Sequence, residues 1–156
     1  MGRKKWALAA MLALASPLIA ADAAAEGRGI TGPEAVSVMR SMGLSPQLST
    51  DGAGDPLIRF MTGDLHAFLN FYDCREGRCG SLQLELALDL ENGTSLQTAN
   101  YVNNRFRYVR MHLDDEGDPF LQYDFEMLHT DHAAHLRSQL ETFDRLVESF
   151  VEAVAD

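Results

Sequence analysis

The chain has 156 residues, with 23 acidic residues against 13 basic ones, a formal net charge of −10, and 46% hydrophobic residues. This length and composition are typical of one globular domain with an ordinary core. The negative charge would repel the phosphate backbone of DNA or RNA, so we expect no nucleic-acid partner.

The first residues follow the order of parts found in a secretory signal peptide. Basic residues at 3–5 precede an apolar run at 6–15, and small residues come next. Cleavage after Ala23 or Ala25 fits the preference for small side chains at such sites. An uncleaved membrane anchor is the alternative, but the apolar run is shorter than the roughly 20 residues that a spanning helix needs. We therefore predict a signal peptide at 1–23 and a periplasmic or secreted product without a stable membrane span.

Two apolar runs around the only two cysteines predict a β-hairpin. Residues 82–88 alternate leucine with other residues, which is typical of a half-buried strand. A second apolar run at 65–72 precedes the glycine-containing connector between Cys74 and Cys79. In an oxidising compartment this pair favours a disulfide, whose short loop would give about 2 kcal/mol of stabilisation. Free thiols, redox chemistry and metal binding are the alternatives.

Hydrophobic periodicity predicts further elements on both sides of this hairpin. Thr31 and Glu34 match a capping box, which begins a helix. The acidic segment 114–118 favours a hairpin turn, because it lacks the ligand spacing of an EF-hand loop. The predicted elements are a helix at 33–42, a short segment at 45–50 that Pro46 would restrict to a sheet edge, strands at 57–62, 65–72 and 82–88, a helix at 95–104, strands at 106–113 and 120–128, and a last helix capped by Thr130 or Asp131.

This order predicts an α+β domain, α-β-β-β-α-β-β-α, with one antiparallel sheet of about five strands and helices mainly on one face. The last helix has a continuous apolar stripe, which a sheet face or another helix must cover. In the second helix we expect four buried side chains, those of Leu96, Ala99, Val102 and Phe106.

Three features of the chain together resemble a known family. They are a cysteine-flanked turn that leads into a strand at 74–85, an asparagine-rich helix that runs into an aromatic and basic strand at 100–110, and an acidic turn, strand and long closing helix at 114–154. The family is the YbjN domain family, described as bacterial sensory-transduction regulators with a fold similar to type III secretion chaperones. One departure is Tyr101-Val102, where the family usually has a tryptophan between two asparagines.

The resemblance implies a domain at 29–155 that is a binding or regulatory module, with no enzymatic activity, no cofactor and no catalytic residues to carry over. Its partner would be a protein or peptide, and a homodimer is a further hypothesis. The candidate surface is a sheet edge together with the basic region at 100–110. The arginines of this region could instead pair with Asp124 or Glu126 within the domain. The predicted partner set is Asn100, Asn103, Arg105, Arg107 and Arg110.

Three histidines at the start of the last helix suggest a second function. His132 and His135 are spaced to share a helix face, and His129 lies just before them. Three imidazoles could hold zinc or copper and leave one position open. Solvated polar residues at a helix start are the alternative explanation. The alternative function is therefore a periplasmic metal-binding protein.

Overall fold

The structure, a computed structural model, describes residues 28–128 and 131–155. The predicted signal peptide at 1–23 lies outside these residues and stays a prediction. No helix within the described ranges is long and apolar enough to cross a membrane. The helices are α1 (Gly32–Ser41), α2 (Leu96–Arg105) and α3 (His132–Ala155), and the strands are β1 (Gln47–Thr50), β2 (Pro56–Thr62), β3 (Leu65–Arg75), β4 (Arg78–Ala87), β5 (Val109–Leu113) and β6 (Pro119–Glu126).

The strands form one antiparallel sheet in the spatial order β1-β2-β3-β4-β6-β5. Because α3 contacts both α1 and α2, the helices of the described chain share one face of the sheet. The predicted α+β class is confirmed, but six strands replace the expected five or so, and four of them precede α2. The additional strand is β1, which pairs with β2 along its whole length.

The hydrophobic core lies between the sheet and α3. Leu82, Leu84 and Leu86 are fully buried, which confirms the predicted alternation of β4. They belong to one hydrophobic cluster with the α3 stripe, whose buried members are Leu136, Leu140, Phe143, Val147 and Phe150. Of the two predicted caps, Asp131 accepts a hydrogen bond from the Ala134 N–H at 3.0 Å and so stabilises the start of α3.

Cys74 and Cys79 form the predicted disulfide. They are opposite each other in the β3–β4 register, with their Cα atoms 3.9 Å apart. The turn between them places Glu76 at φ 53° and Gly77 at φ 78°. The bond therefore closes the turn of the hairpin at the centre of the sheet.

Arg78, next to the disulfide, fastens the segment before α1 to this hairpin. Its Nε donates to the Gly29 carbonyl at 3.0 Å, and its two terminal nitrogens lie 3.0 and 3.1 Å from the Glu34 carboxylate oxygens. Ile30 exchanges backbone hydrogen bonds with Cys79. A Cβ atom at Gly29, where φ is 93°, would lie 2.1 Å from the Cys79 oxygen, so this crossing requires glycine.

The two five-residue acidic turns, 51–55 and 114–118, have the same hydrogen bonds. In each turn the N–H of the first aspartate donates to the carbonyl of the last. The Oδ1 atom of that first aspartate accepts from the third and fifth backbone N–H groups, at 2.9 Å in every case. The predicted hairpin turn at 114–118 is therefore confirmed, and one Asx-type motif closes both outer hairpins.

The region of α2 differs from the prediction at two points. Leu96, expected to be buried, is the first residue of α2 and is 79% exposed, whereas Ala99 and Val102 are buried as expected. The next strand begins later than predicted, at Val109, because Tyr108 has φ 73° and an extended strand excludes that conformation.

A side chain of α2 bonds the middle of the outer edge of β5. The Asn103 amide donates to the Met111 carbonyl at 3.1 Å and accepts from the Met111 N–H at 2.7 Å. One amide group of α2 thus makes the two bonds that a neighbouring strand would make at that position.

Replacement of both cysteines, by Cys74→Ser and Cys79→Ser, should lower the free energy of unfolding by about 2 kcal/mol, because the unfolded chain gains conformational entropy. Urea unfolding of the oxidised protein and of the variant measures the difference. Reductant should destabilise the original protein and leave the variant unchanged. Equal stability of the original protein with and without reductant would contradict a structural disulfide.

Replacement of Asn103 by alanine should lower the free energy of unfolding by about 1–2 kcal/mol, because both Met111 backbone groups lose their partner. Asn104→Ala is the matched control, since the Asn104 amide donates only within α2, to the Asn100 carbonyl at 2.8 Å. The control should change stability by less than about 0.5 kcal/mol. Amide hydrogen exchange at Met111 should accelerate in the first variant alone, and similar effects of both variants would refute the edge role.

Glu34→Gln should reduce the acid sensitivity of the domain. Burial raises the pKa of Glu34, but hydrogen bonds from Thr31 and Arg78 outweigh that effect and hold the pKa below its ordinary value of 4.5. A depressed pKa stabilises the fold above the unfolded pKa, and this contribution is lost as the pH falls through the folded pKa. The variant should therefore be less stable at neutral pH, and its stability should fall less steeply below pH 4.5.

Urea midpoints across this pH range measure the effect of Glu34→Gln. The control is Glu76→Gln, which neutralises a carboxylate whose side chain is 85% exposed. An exposed ion pair contributes little, so the control should follow the original protein. A pH profile of Glu34→Gln that is parallel to the original would show that the carboxylate contributes nothing.

Candidate functional site

The outer edge of β1 presents unpaired backbone groups. In the sheet formed by the described residues, β1 has a neighbouring strand, β2, on one side only. The Asp51 N–H donates across the hairpin, and hydrogen-bonded positions alternate along an antiparallel strand, so Ser49 and Gln47 also face β2. The N–H and C=O groups of Leu48 and Thr50 consequently point away from the sheet.

A shallow cavity of about 470 Å³ lies beside this edge. Leu48, which is 46% exposed, forms part of its wall. A Cβ atom at Gly32 would lie 2.9 Å from a Leu48 methyl group, so glycine leaves the space that this side chain uses. The remaining lining residues are Pro33, Ser49, Thr50 and Pro56. We call β1 and this cavity the open edge.

The two edges of the sheet are therefore unlike. Asn103 occupies the outward groups of β5 at Met111, whereas all four residues of β1 are exposed and none carries a charge. Edge strands are commonly protected by charged residues, bulges or covering segments. The strand of the open edge has no charged residue, and within the described part of the chain its outward backbone groups have no partner.

In the structure, the members of the predicted partner set fall into two groups, those that bond within the domain and those that are exposed. Asn103 serves the β5 edge, as described above. Arg110 donates from Nε to Gln122 at 2.8 Å and pairs with Asp124 at 3.2 Å, which is the intramolecular alternative that the sequence left open. Both residues therefore have roles within the domain, because their partners lie on the same sheet.

The other three members of the predicted partner set are exposed. Asn100 lies on α2, and the Arg107 guanidinium stands over the adjacent Tyr108 ring, 4.7 Å from its centre. Arg105 lies at the end of α2 and lines a groove. The structure therefore leaves these residues available for contacts outside the domain.

This α2–α3 groove has a volume of about 650 Å³ and lies between α2 and the end of α3. Tyr101 and Phe106 form its aromatic part, with their ring centres 6.5 Å apart and nearly perpendicular. Ser149 and Glu152 of α3 also line it. The sequence analysis missed these two residues, because the pattern of α3 assigns its apolar stripe but does not show which polar residues meet α2.

The face of the sheet opposite the helices carries a network of side-chain hydrogen bonds. Gln83 donates to Asp124 at 2.7 Å, and Gln122 donates to Glu85 at 2.6 Å. Burial raises the pKa of the nearby Tyr72, and the charges of Glu85 and Asp124 raise it further. These groups already bond to one another, so the network stabilises the sheet.

The predicted histidine cluster is only partly described. His129 lies outside the described residues. His132 is 8% exposed, and its Nε2 atom has no hydrogen-bond partner there, while His135 packs edge-on against Phe125 with ring centres 6.0 Å apart. Within 28–128 and 131–155, no three His, Cys, Asp or Glu side chains form a group suited to a metal ion. The metal site depends on His129 and stays a prediction.

The chain is similar to a known family and to a solved chaperone structure. The profile of the YbjN family, described as "Putative bacterial sensory transduction regulator", matches residues 36–156. Among solved structures, the chain is similar to the type III secretion chaperone SycH of Yersinia pestis, crystallised with a stable fragment of YscM2. The two share 15% identity and a TM-score of 0.47, over 76% of this chain and 98% of that chain. No curated protein matches the chain in sequence. Because the family profile covers most of its length, the chain belongs to the YbjN family.

Proposed function

We propose that this domain is a non-catalytic, exported binding module that recognises an extended segment of a protein or peptide partner at the open edge. The carrying observation is the difference between the two sheet edges. Outward backbone groups are bonded by Asn103 at Met111 of β5, whereas those of β1 have no partner among residues 28–128 and 131–155. Membership of a family described as regulators supports a binding role over a catalytic one.

Backbone pairing would supply part of the affinity. A partner segment beside β1 would bond the N–H and C=O groups of Leu48 and Thr50 and become a seventh strand. In strand addition, main-chain hydrogen bonds give affinity and pockets for alternate side chains give specificity. The cavity next to Leu48 would accept one apolar side chain of the segment.

Charge favours a partner with basic residues near that segment. Removal of the predicted signal peptide would leave 10 arginines against 22 acidic residues, and no lysine. Such a surface attracts a basic partner and speeds its association at low ionic strength. The strand β1 itself is uncharged, so the contacting segment should be apolar or neutral, with its basic residues in the flanks.

Two observations support export to the periplasm or beyond. The first residues match a signal peptide in the order of their parts. Cys74 and Cys79 are joined in a disulfide, which persists in oxidising compartments. The exposed Asn100 and Arg107 remain proposed partner contacts, outside the open edge.

The experiment uses the oxidised mature domain and a displayed library of random peptides. Thr50→Pro removes one outward N–H group without breaking a bond to β2, and Thr50→Val is the matched control that keeps this N–H. The proline variant should bind the selected peptides about tenfold or more weakly. One hydrogen bond is lost, and the proline ring keeps the peptide strand from approaching β1 closely. The valine variant should change affinity less than about twofold.

Amide hydrogen exchange locates the peptide. Leu48 and Thr50 should become protected when it binds, because their N–H groups would enter a ladder. Sedimentation identifies a second copy as the occupant if the free domain forms dimers that Thr50→Pro dissociates. Equal peptide affinity of both Thr50 variants, or protection confined to other strands, would refute the open edge as the binding site.

A further inference from the structure

The α2–α3 groove lies on the β5 side of the domain, away from the open edge. Its helix α2 packs on β5, at the opposite end of the sheet from β1. Its volume of about 650 Å³ lies within the roughly 300–1,000 Å³ range of small-molecule sites. The groove therefore has the size for a ligand of its own.

Two opposite charges in this groove have no ion pair within the described chain. Arg105 lines it from the last turn of α2, and Glu152 lines it from α3. Neither belongs to any of the salt bridges among residues 28–128 and 131–155, so they do not neutralise each other. Both charged groups are therefore available to a ligand that enters the groove.

The lining of the groove also contains aromatic rings and hydroxyl groups. Tyr101 is 53% exposed and meets Phe106 edge to face. The Thr98 and Ser149 side chains also line the groove and can donate or accept hydrogen bonds. The groove thus combines one cation, one anion, a ring surface and neutral polar groups.

We propose that the α2–α3 groove binds a small zwitterion with an apolar side chain, the chemistry of an amino acid or a short peptide. Arg105 binds the carboxylate, because a guanidinium can hold both carboxylate oxygens. Glu152 binds the ammonium group, and the side chain of the ligand packs on Tyr101. A phosphate ligand fits less well, because Glu152 would repel it.

Calorimetric titration of the oxidised mature domain with a panel of apolar and aromatic L-amino acids and their glycyl dipeptides tests the proposal. At least one probe should bind, and comparison of the two sets distinguishes a free amino acid from a short peptide. For the best probe, the N-acetyl form lacks the ammonium charge and the amide form lacks the carboxylate. Each should bind about tenfold or more weakly, since each loses a charge-assisted contact.

Two substitutions test which charged residue binds which group of the zwitterion. Arg105→Met should weaken the zwitterion about tenfold or more and remove the preference for it over the amide form. Glu152→Gln should remove the preference over the N-acetyl form. Arg59→Met is the matched control, since that arginine stands over the Phe68 ring and does not line the groove, and it should leave affinity unchanged. Thermal unfolding confirms that each variant is folded.

The proposal is overturned if no probe of the panel binds, if the blocked forms bind as tightly as the zwitterion, or if Arg105→Met and Arg59→Met have the same effect. The Thr50→Pro variant should bind the zwitterion normally. Failure here would therefore leave the open edge untouched, and failure of the open edge would leave this groove untouched.

Discussion

Burial of the leucine face of β4 beneath α3 is the interaction on which the rest of the structure depends. Leu82, Leu84 and Leu86 place the central hairpin in the core, and α3 covers them with a stripe along its whole length. Apolar burial is the dominant favourable term in folding, and here it fixes one face of the sheet against the helices. The disulfide and the Arg78 contacts then hold the turn and the start of the chain on this frame.

The same layer arrangement creates both candidate surfaces. A sheet covered on one face still has two edges, and the outward N–H and C=O groups of each edge strand need hydrogen-bond partners. At β5, the Asn103 amide of α2 bonds the backbone N–H and C=O groups of Met111. At β1 no described side chain makes the equivalent bonds, and this edge is the proposed site for a partner strand. The position of α2 also opens the groove next to α3, at the other end of the sheet.

Local patterns predicted most of the fold. The alternation of β4, the capping box at Thr31, the disulfide and the two hairpins follow from periodicity and turn chemistry, and the structure confirms them. Two predictions for the region of α2 are wrong. Leu96 is the exposed first residue of α2, and β5 begins only at Val109 because Tyr108 has φ 73°. The sequence left two roles open for Arg110, partner contact or pairing with Asp124, and the structure places the two side chains 3.2 Å apart.

The sequence by itself determined the α+β class, the order of its helices and strands, the cysteine pairing and the family, because these depend on residue spacing along the chain. The tertiary structure alone decided which asparagine closes an edge, which edge stays open, and which polar residues of α3 meet Tyr101 and Arg105. The physical reason is that edge pairing and groove formation depend on the register and the packing of elements far apart in the chain, and a local pattern carries no information about either.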